Sequence, residues 1–592
     1  MAGTFDAVLI GAGHNTLAAA LHLSAKGWRV GVFEQAAVAG GAVKSGEYTL
    51  PGFRHDWAAM NLSLFAGSPF FKAHGAELAR HGCDFVPVDR PFSSSFPDGT
   101  WAGVSTDMGE TLAAFRALSR RDAETWETLV SRFGQEAPHL FGLLGSEMKF
   151  RALAYFMFKT FRAKGAAGTM DFTRFLLSSP RAWLEETFEH PQIRALLAAW
   201  GMHLDFAPDV AGGAMFPYLE GMAGQAFGMV IGKGGADTIV KALTAAITAR
   251  GGTVETGMPV ARILRDGDRA TGVELADGRR ITATRAVIAG VAPRALRKLT
   301  GDTTPAFDRA MEGFRHAPGT MMIHLAMDGL PDWRAGAELQ RFAYVHLAPS
   351  LDQMARTYQQ AQAGLLADEP ILVVGQPTVF DPSRAPAGKH VLWVQVRMAP
   401  GTITGDAKGE IAATDWTQAA EPFADRALAI LEAHAPGTRA KILARRIVTP
   451  TELEADNPNL IGGDQVRRQG IAIGCRPITS GDIICRQRQR GQGRSIVASR
   501  NQRIGDAKGH HRQLADQDRA GMAKDGARFK HSATRAHGLA TVGAVRLYKT
   551  MSSLLSEGRR TVAWYCQGPM STSCFKVPIA WVSTICQSQE AD

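Results

Sequence analysis

Residues 6–34 read Asp6-Ala7-Val8-Leu9-Ile10, then Gly11-Ala12-Gly13-His14-Asn15-Thr16, then an apolar helical stretch, then Val30-Gly31-Val32-Phe33 closing on Glu34. A strand, a glycine turn, a helix and a second strand in this order form a βαβ unit of the doubly wound α/β class. Gly11 permits the tight turn after the first strand, and Gly13 removes a side chain where backbone must approach a pyrophosphate on the helix N-terminus. Glu34 stands 23 positions after Gly11, the spacing at which an acid ending the second strand accepts hydrogen bonds from a ribose. A carboxylate there repels a 2′-phosphate, so the unit points to an FAD- or NAD-type nucleotide rather than NADP. Thr16 occupies the place of a third glycine, a departure expected to cost packing on the order of 1 kcal/mol without abolishing the site.

The chain of 592 residues has room for several domains, and its 45% apolar and 21% charged content is that of an ordinary globular protein. It holds no uninterrupted apolar run of roughly 18 residues, the length a spanning helix needs. The first strand begins near Phe5, which leaves no room for a signal peptide, so the expected location is cytoplasmic with peripheral membrane contact left open. The net charge of +10 is not spread evenly: residues 466–592 hold 21 Lys and Arg against 8 Asp and Glu, and residues 1–465 carry a net −3. The basic residues of the tail show no helical stripe and no aromatic platform, so no nucleic-acid partner is expected. Cys83 is alone in the first 465 residues, and Cys475, Cys485, Cys566, Cys574 and Cys586 follow without a C-x-x-C pair. Neither a metal site nor a disulfide framework is indicated.

After Glu34 comes a second glycine turn, Ala39-Gly40-Gly41-Ala42-Val43, where backbone can approach a pyrophosphate or a flavin ring. Residues 105–200 are largely helical in pattern, and within them Lys149 to Lys164 is rich in aromatics flanked by cations. That segment suits a membrane surface, the wall of an apolar tunnel, or a helix half-buried between domains. A further nucleotide-domain block runs from Ile231-Gly232-Lys233-Gly234-Gly235 through a helix to Ile247, then Val260 to Ile263, a hairpin at Ala276-Asp277-Gly278-Arg279, and Arg285 to Gly290. Its Gly-Lys-Gly lacks the spacing of a triphosphate-binding loop. Strands at Met321 to Met327 and Val391 to Met398, with helical stretches between and after, indicate a separate α+β domain.

Together these pieces resemble the phytoene desaturase-like FAD-dependent oxidoreductases, within the wider amine-oxidase-like flavoproteins. The resemblance is carried by Val8 to Asn15, Glu34 with Gly40-Gly41, Leu50-Pro51-Gly52-Phe53-Arg54-His55-Asp56, the Gly234-Gly235 to Ile263 block, Pro377 to Ser383 and Asp456 to Asp464, and it covers residues 5–465. It implies an α/β fold with a Rossmann-like FAD-binding domain assembled from separated segments and an inserted α+β substrate domain. The expected divisions are 1–104 and 226–302 for the FAD-binding domain, 105–225 for the helical part of the substrate domain, and 303–465 for its α+β part and the start of the return. It further implies that Gly11, Ala12, Gly13 and Asn15 line the pyrophosphate of FAD, that Glu34 holds the ribose, that Gly41 and Ala42 approach the flavin, and that the Val260 backbone meets the adenine.

The activity implied is removal of a hydride from a C–H bond of an apolar, isoprenoid- or carotenoid-like substrate to flavin N5. Amine oxidation on the same scaffold and a non-catalytic flavoprotein-like regulator are the alternatives. His55 is the titratable residue expected nearest the flavin, where a general base would need a pKa near its working pH. Arg54 and His203 stand as further ionisable candidates. The resemblance stops after Gln465, where charge balance and cysteine usage also change. Residues 466–592 are therefore expected to be an anomalous, disordered tail from a reading-frame shift or mis-joined gene, lacking the strand and Pro-Gly-x-Gly turn that should return to the FAD domain. The chain as written is then expected to hold FAD weakly.

Overall fold

β1 (Thr4–Ile10), α1 (His14–Ser24) and β2 (Val30–Phe33) form where the sequence places the βαβ unit. The computed structural model describes residues 3–144, 149–267, 269–301, 303–464 and 561–564. β1 is central: it pairs in parallel with β2 from Ala7 to Ile10 and, on its other side, with the strand Arg280–Ala289. Its residues alternate between two buried layers. Ala7 and Leu9 face the core under α1 and the helix Thr238–Ala249, while Phe5, Val8 and Ile10 face the core around Val273 and Val287. A strand covered on both faces must be apolar throughout its inner half, as this one is.

The sheet runs in the order Val260–Asp266, Arg269–Leu275, Arg280–Ala289, β1, β2, Thr253–Glu255. Thr561–Trp564 lies parallel beside Arg280–Ala289, pairing Ala286 with Thr561 through Ala289 with Trp564. A strand from beyond Gln465 thus joins this sheet. The expectation of an anomalous, disordered tail falls, for 465–560 and 565–592, outside the described residues.

A second seven-stranded sheet has the order Ile442–Val448, Gly319–Met327, His390–Ala399, Ile371–Gly375, Tyr344–Leu347, Phe92–Ser95, Trp101–Val104. The chain enters it before residue 104, so the expected boundary there falls after two of its strands: the pairing of Phe92 to Ser94 with Tyr344 to His346 decides their membership, a contact across 252 positions that no local pattern reports. One face is uniformly apolar, with Ile323, Leu325, Val345, Leu372, Val394 and Val396 packed on the helix Trp416–His434. The other face turns toward the helices Pro191–Met202 and Met215–Phe227 and the nucleotide-binding domain. Several helices begin at a cap followed by proline, as at Ser68-Pro69, Ser179-Pro180, Thr304-Pro305 and Thr449-Pro450, where the hydroxyl accepts an orphan amide and proline removes a donor without loss. Among the described residues no helix is long and apolar enough to cross a membrane.

Candidate functional site

At the end of β1 the backbone turns at Gly11 with φ 87°, in the left-handed region where a side chain is strained. Gly13 caps α1 without any side-chain hydrogen bond, and the first turn carries no acid. An uncapped N-terminus of this kind leaves amides and the positive end of the helix dipole for an anion. Asn15 lies in that first turn, and Thr16 is buried in it at 2% exposure, so the helix accommodates the departure from glycine. The second glycine turn docks directly alongside: Gly13 and Gly40 form a parallel bridge, and the Gly40 amide donates to the Ala12 carbonyl at 2.9 Å. A Cβ at Gly40 would lie 2.5 Å from the Val43 carbonyl, so only glycine fits the approach that sets Gly41 and Ala42 beside the phosphate turn.

Glu34 is buried at the end of β2. Its carboxylate accepts the Ala12 amide at 2.5 Å and the Ala36 amide at 2.9 Å. A carboxylate has about four acceptor positions, so it retains capacity for ribose hydroxyls while tying the phosphate turn to β2. The Met258 amide donates to the Glu34 carbonyl at 2.7 Å, which starts the Val260 strand beside the ribose site. Gly11, Ala12, Gly13, Asn15, Glu34, Gly41, Ala42 and Val260 are therefore gathered round one end of the sheet. The uncapped helix, the glycine cradle and the buried acid fit an FAD-type dinucleotide.

One positioning residue has no role in the sequence reading. Asn459 donates to the Gly290 carbonyl at 3.2 Å and accepts the Ala292 amide at 2.6 Å, while the Gly290 amide donates to the Ile10 carbonyl at 2.9 Å. It fixes the loop that flanks Gly11. Lys44, just past the second glycine turn, pairs with Asp456 at 2.6 Å, so the Asp456 to Asp464 segment is anchored to the cofactor site from both sides.

Beneath this site lies a buried ionic clamp. Arg384 is fully buried and donates to Asp56 at 2.5 Å, to Asp381 at 3.0 Å and to the Gly232 carbonyl. The same carboxylates accept the Ala236 and Gly234 amides, both at 2.7 Å, and Arg54 donates to the Gly234 carbonyl and to Asp237. Burial alone would raise the Asp381 carboxyl, but the bonds from Ser383, Gly234 and Arg384 outweigh it and hold it below the usual carboxylate range. Three stretches quoted for the family resemblance thus meet through their charged side chains. Arg54 belongs to this clamp.

His55 is buried, with Nε2 2.8 Å from the Thr49 hydroxyl and its ring 5.3 Å from that of His324. Burial, aided by the Arg384 guanidinium, pushes its pKa down to about 3. This differs from the near-neutral value a general base would need: His55 is uncharged at physiological pH and a weak base. His203 lies elsewhere, on the substrate side, with its Nε2 3.0 Å from that of His346 and its ring against Trp200.

The segment after Asp56, Trp57 to Leu62, is entirely buried and crosses to the second sheet. There Gly375 makes room for it: an added Cβ would meet the Met60 sulfur at 3.1 Å and the Trp393 ring at 3.0 Å. Asn61 and Ser63 line a small, partly open pocket of about 20 Å³, walled also by Phe92, Trp200, Glu220 and Met229. A nucleotide end joined by a buried segment to a small pocket against a second sheet fits a two-domain, dinucleotide-dependent oxidoreductase.

The chain belongs to the flavin containing amine oxidoreductases, whose family model matches residues 17–413. It is 27% identical over 488 residues to the pyridine nucleotide-disulfide oxidoreductase domain-containing protein 2 of Rattus norvegicus, covering 76% of this chain and 82% of that protein. It is 26% identical over 459 residues to the phytoene dehydrogenase of Streptomyces griseus, again covering 76% and 82%. Among solved structures, an oxidoreductase from Methanosarcina mazei aligns over 74% of this chain and 87% of its own, at 19% identity and a TM-score of 0.48. The protein is an FAD-dependent oxidoreductase of the amine oxidase and carotenoid desaturase type.

Proposed function

We propose that the enzyme removes a hydride from a C–H bond of a substrate with an apolar, isoprenoid-like body, held between the Trp57 to Ser63 segment and the inner face of the second sheet. FAD, when bound, supplies the hydride acceptor at N5 of its isoalloxazine ring. The observation that carries the reading is the apolar lining of Phe92, Trp200 and Met229 in the small pocket that meets the segment following the cofactor-side clamp. Such a lining favours an apolar group by area and shape. The phytoene dehydrogenase and neurosporene-forming desaturase relatives support the choice of substrate body. His55, neutral and bonded to Thr49, orients rather than accepts a proton. The test is anaerobic mixing of the FAD-loaded full chain with an isoprenoid hydrocarbon, an isoprenoid alcohol and a primary amine, following loss of the flavin's visible absorbance. Bleaching by an isoprenoid is expected. Bleaching by the amine alone, or by none of the three, overturns the reading.

Peripheral contact with an anionic membrane surface is proposed for the helix Phe150–Leu177. Phe150, Tyr155, Phe158 and Phe161 are 52–86% exposed on its outer side, whereas Phe156 and Thr160 anchor its inner side. From Lys149 to Met170 the sequence has five cations and no acid. Aromatic bodies ringed by Lys and Arg match the boundary of acyl chains and anionic headgroups. In a flotation assay the protein should rise with phosphatidylserine-containing vesicles more than with phosphatidylcholine vesicles, and F158S/F161S should lower that fraction several-fold. Equal recovery with both vesicle types would sink the idea.

A further inference from the structure

The helix Phe150–Leu177 is not one straight rod. Gly165, near its middle, has φ 70° and ψ −173°, a conformation that glycine adopts at little cost and a residue with a Cβ does not. The bend it makes is sharp. Phe156 and Phe172 are 16 positions apart, which on a continuous helix would separate their backbones by about 24 Å. Their ring centroids lie 6.4 Å apart. Lys164 stands over the same Phe172 ring, with Nζ 5.9 Å from its centroid. The chain therefore folds back into two arms, Phe150 to Lys164 and Ala166 to Leu177.

The two arms are held very unequally. The second is rooted in the body: Phe172 packs beside His139 of the helix Arg120–Leu144, Phe175 packs on Trp183 and Tyr218, and Arg174 donates to Glu186 at 2.9 Å. Its end is tied as well, since the Ser178 carbonyl accepts the Gly212 and Ala214 amides. The first arm buries two side chains, Phe156 and Thr160. The Thr160 hydroxyl donates to the Phe156 carbonyl of its own helix. What seats the arm is thus the Phe156 ring, lying between Phe172 and Gly142, with Leu153 and Met157 half-buried alongside. Its outer side carries four of the eight large apolar side chains that stand exposed among the described residues. A segment with so few buried contacts belongs to the low end of local stability.

We propose that Gly165 is a hinge between two states of this helix, the folded-back state and a continuous helix in which the first arm has left Phe172, and that the continuous helix is the membrane-bound form. The proposal rests on the reading that this face meets an anionic bilayer, and it adds how the protein responds to that surface. Folded back, Phe156 and Phe172 shield each other from water. Extended, Gly165 takes ordinary helical angles, and Leu153, Phe156 and Met157 join the outer aromatics at the acyl boundary while the five cations from Lys149 to Lys164 meet the headgroups. A surface shifts such an equilibrium only by binding one state better than the other. The extended arm offers the bilayer apolar side chains that the folded-back arm keeps covered.

The test is a distance measured on the full chain. Nitroxides are coupled to p-acetylphenylalanine placed at the exposed positions 154 and 171, which leaves the six cysteines unlabelled, and the spacing is read by pulsed electron paramagnetic resonance. Seventeen positions span about 26 Å on a continuous helix. A clearly shorter distance is expected in buffer and with phosphatidylcholine vesicles, and the long one on phosphatidylserine vesicles with which the protein has floated. Gly165→Ala penalises the bend and favours helix. It should show the long distance already in buffer and raise several-fold the fraction that floats at limiting phosphatidylserine. Flotation with the short distance unchanged overturns the hinge and leaves the membrane reading standing, as does a folded Gly165→Ala protein whose distance in buffer stays short. Absence of flotation overturns both. The vesicle measurement on the Gly165 protein stands whether or not the alanine variant folds.

Discussion

Replacement of Arg384 by methionine is expected to destabilise the protein by about 3–5 kcal/mol, enough to deplete the folded, FAD-loaded form. The cause is not the loss of favourable pairs in themselves. Two charges taken out of water cost nearly what their attraction returns, so an intact buried pair contributes little net stability. Removing the guanidinium leaves Asp56 and Asp381 at 2% and 3% exposure facing each other across an apolar side chain. The carboxylates must then bind protons or the loop Gly232 to Asp237 must open. Acid should act on the wild type in the same direction. Asp381 is held below the usual carboxylate range in the folded state, so its stabilisation is complete above the unfolded value near 3.8 and is lost as pH falls through the lower folded value. Thermal unfolding of the variant followed by circular dichroism, with flavin content measured in parallel, checks the first claim. An unchanged melting temperature would show that the clamp is dispensable.

Glu34→Ala is expected to weaken FAD binding by roughly 1–3 kcal/mol, about five- to 150-fold in Kd. Two losses combine. The ribose hydroxyls lose their acceptor, and the Ala12 amide, which donates to this carboxylate at 2.5 Å, is left unbonded inside the pyrophosphate turn. Glu34→Gln keeps one acceptor oxygen and removes the negative charge, so its effect should be smaller. The 2′-phosphate of NADP should also be repelled less by either variant than by the wild type. Fluorescence titration of the apoprotein with FAD measures the change. Equal affinity in Glu34→Ala and wild type would refute the assignment of Glu34 to the ribose.

The local geometry of the cofactor half was legible in the sequence. Gly11, Gly13 and Glu34 sit within a single βαβ unit, where strand and helix rise fix what a spacing of 23 residues brings together. The quoted stretches around Asp56, Pro377 to Ser383 and Asp456 to Asp464 carry the family resemblance in the sequence, but what joins them is not visible there. Asp56 and Arg384 are 328 positions apart, and Asn459 and Gly290 are 169 apart. Each is an ordinary polar residue until the fold makes it the partner of another.

The same division runs through the substrate side. The sequence by itself determined the strands at Met321 to Met327 and Val391 to Met398 and the helical nature of Lys149 to Lys164, because periodicity is a local consequence of backbone geometry. Tertiary structure alone decided which face of each strand turns inward, and hence that Trp393, Gln395 and Arg397 share the inner face while Leu392, Val394 and Val396 pack on the helix Trp416–His434. It placed Phe150, Phe158 and Phe161 on the exposed side of their helix. It also set the pKa of His55 below the near-neutral value expected for a general base, since a pKa depends on surrounding dielectric and charge as well as on residue type, and here burial beside Arg384 lowers it. Local geometry is written in the order of residues, whereas burial, charge pairing and facing arise from residues far apart in the chain and exist only once the chain has folded.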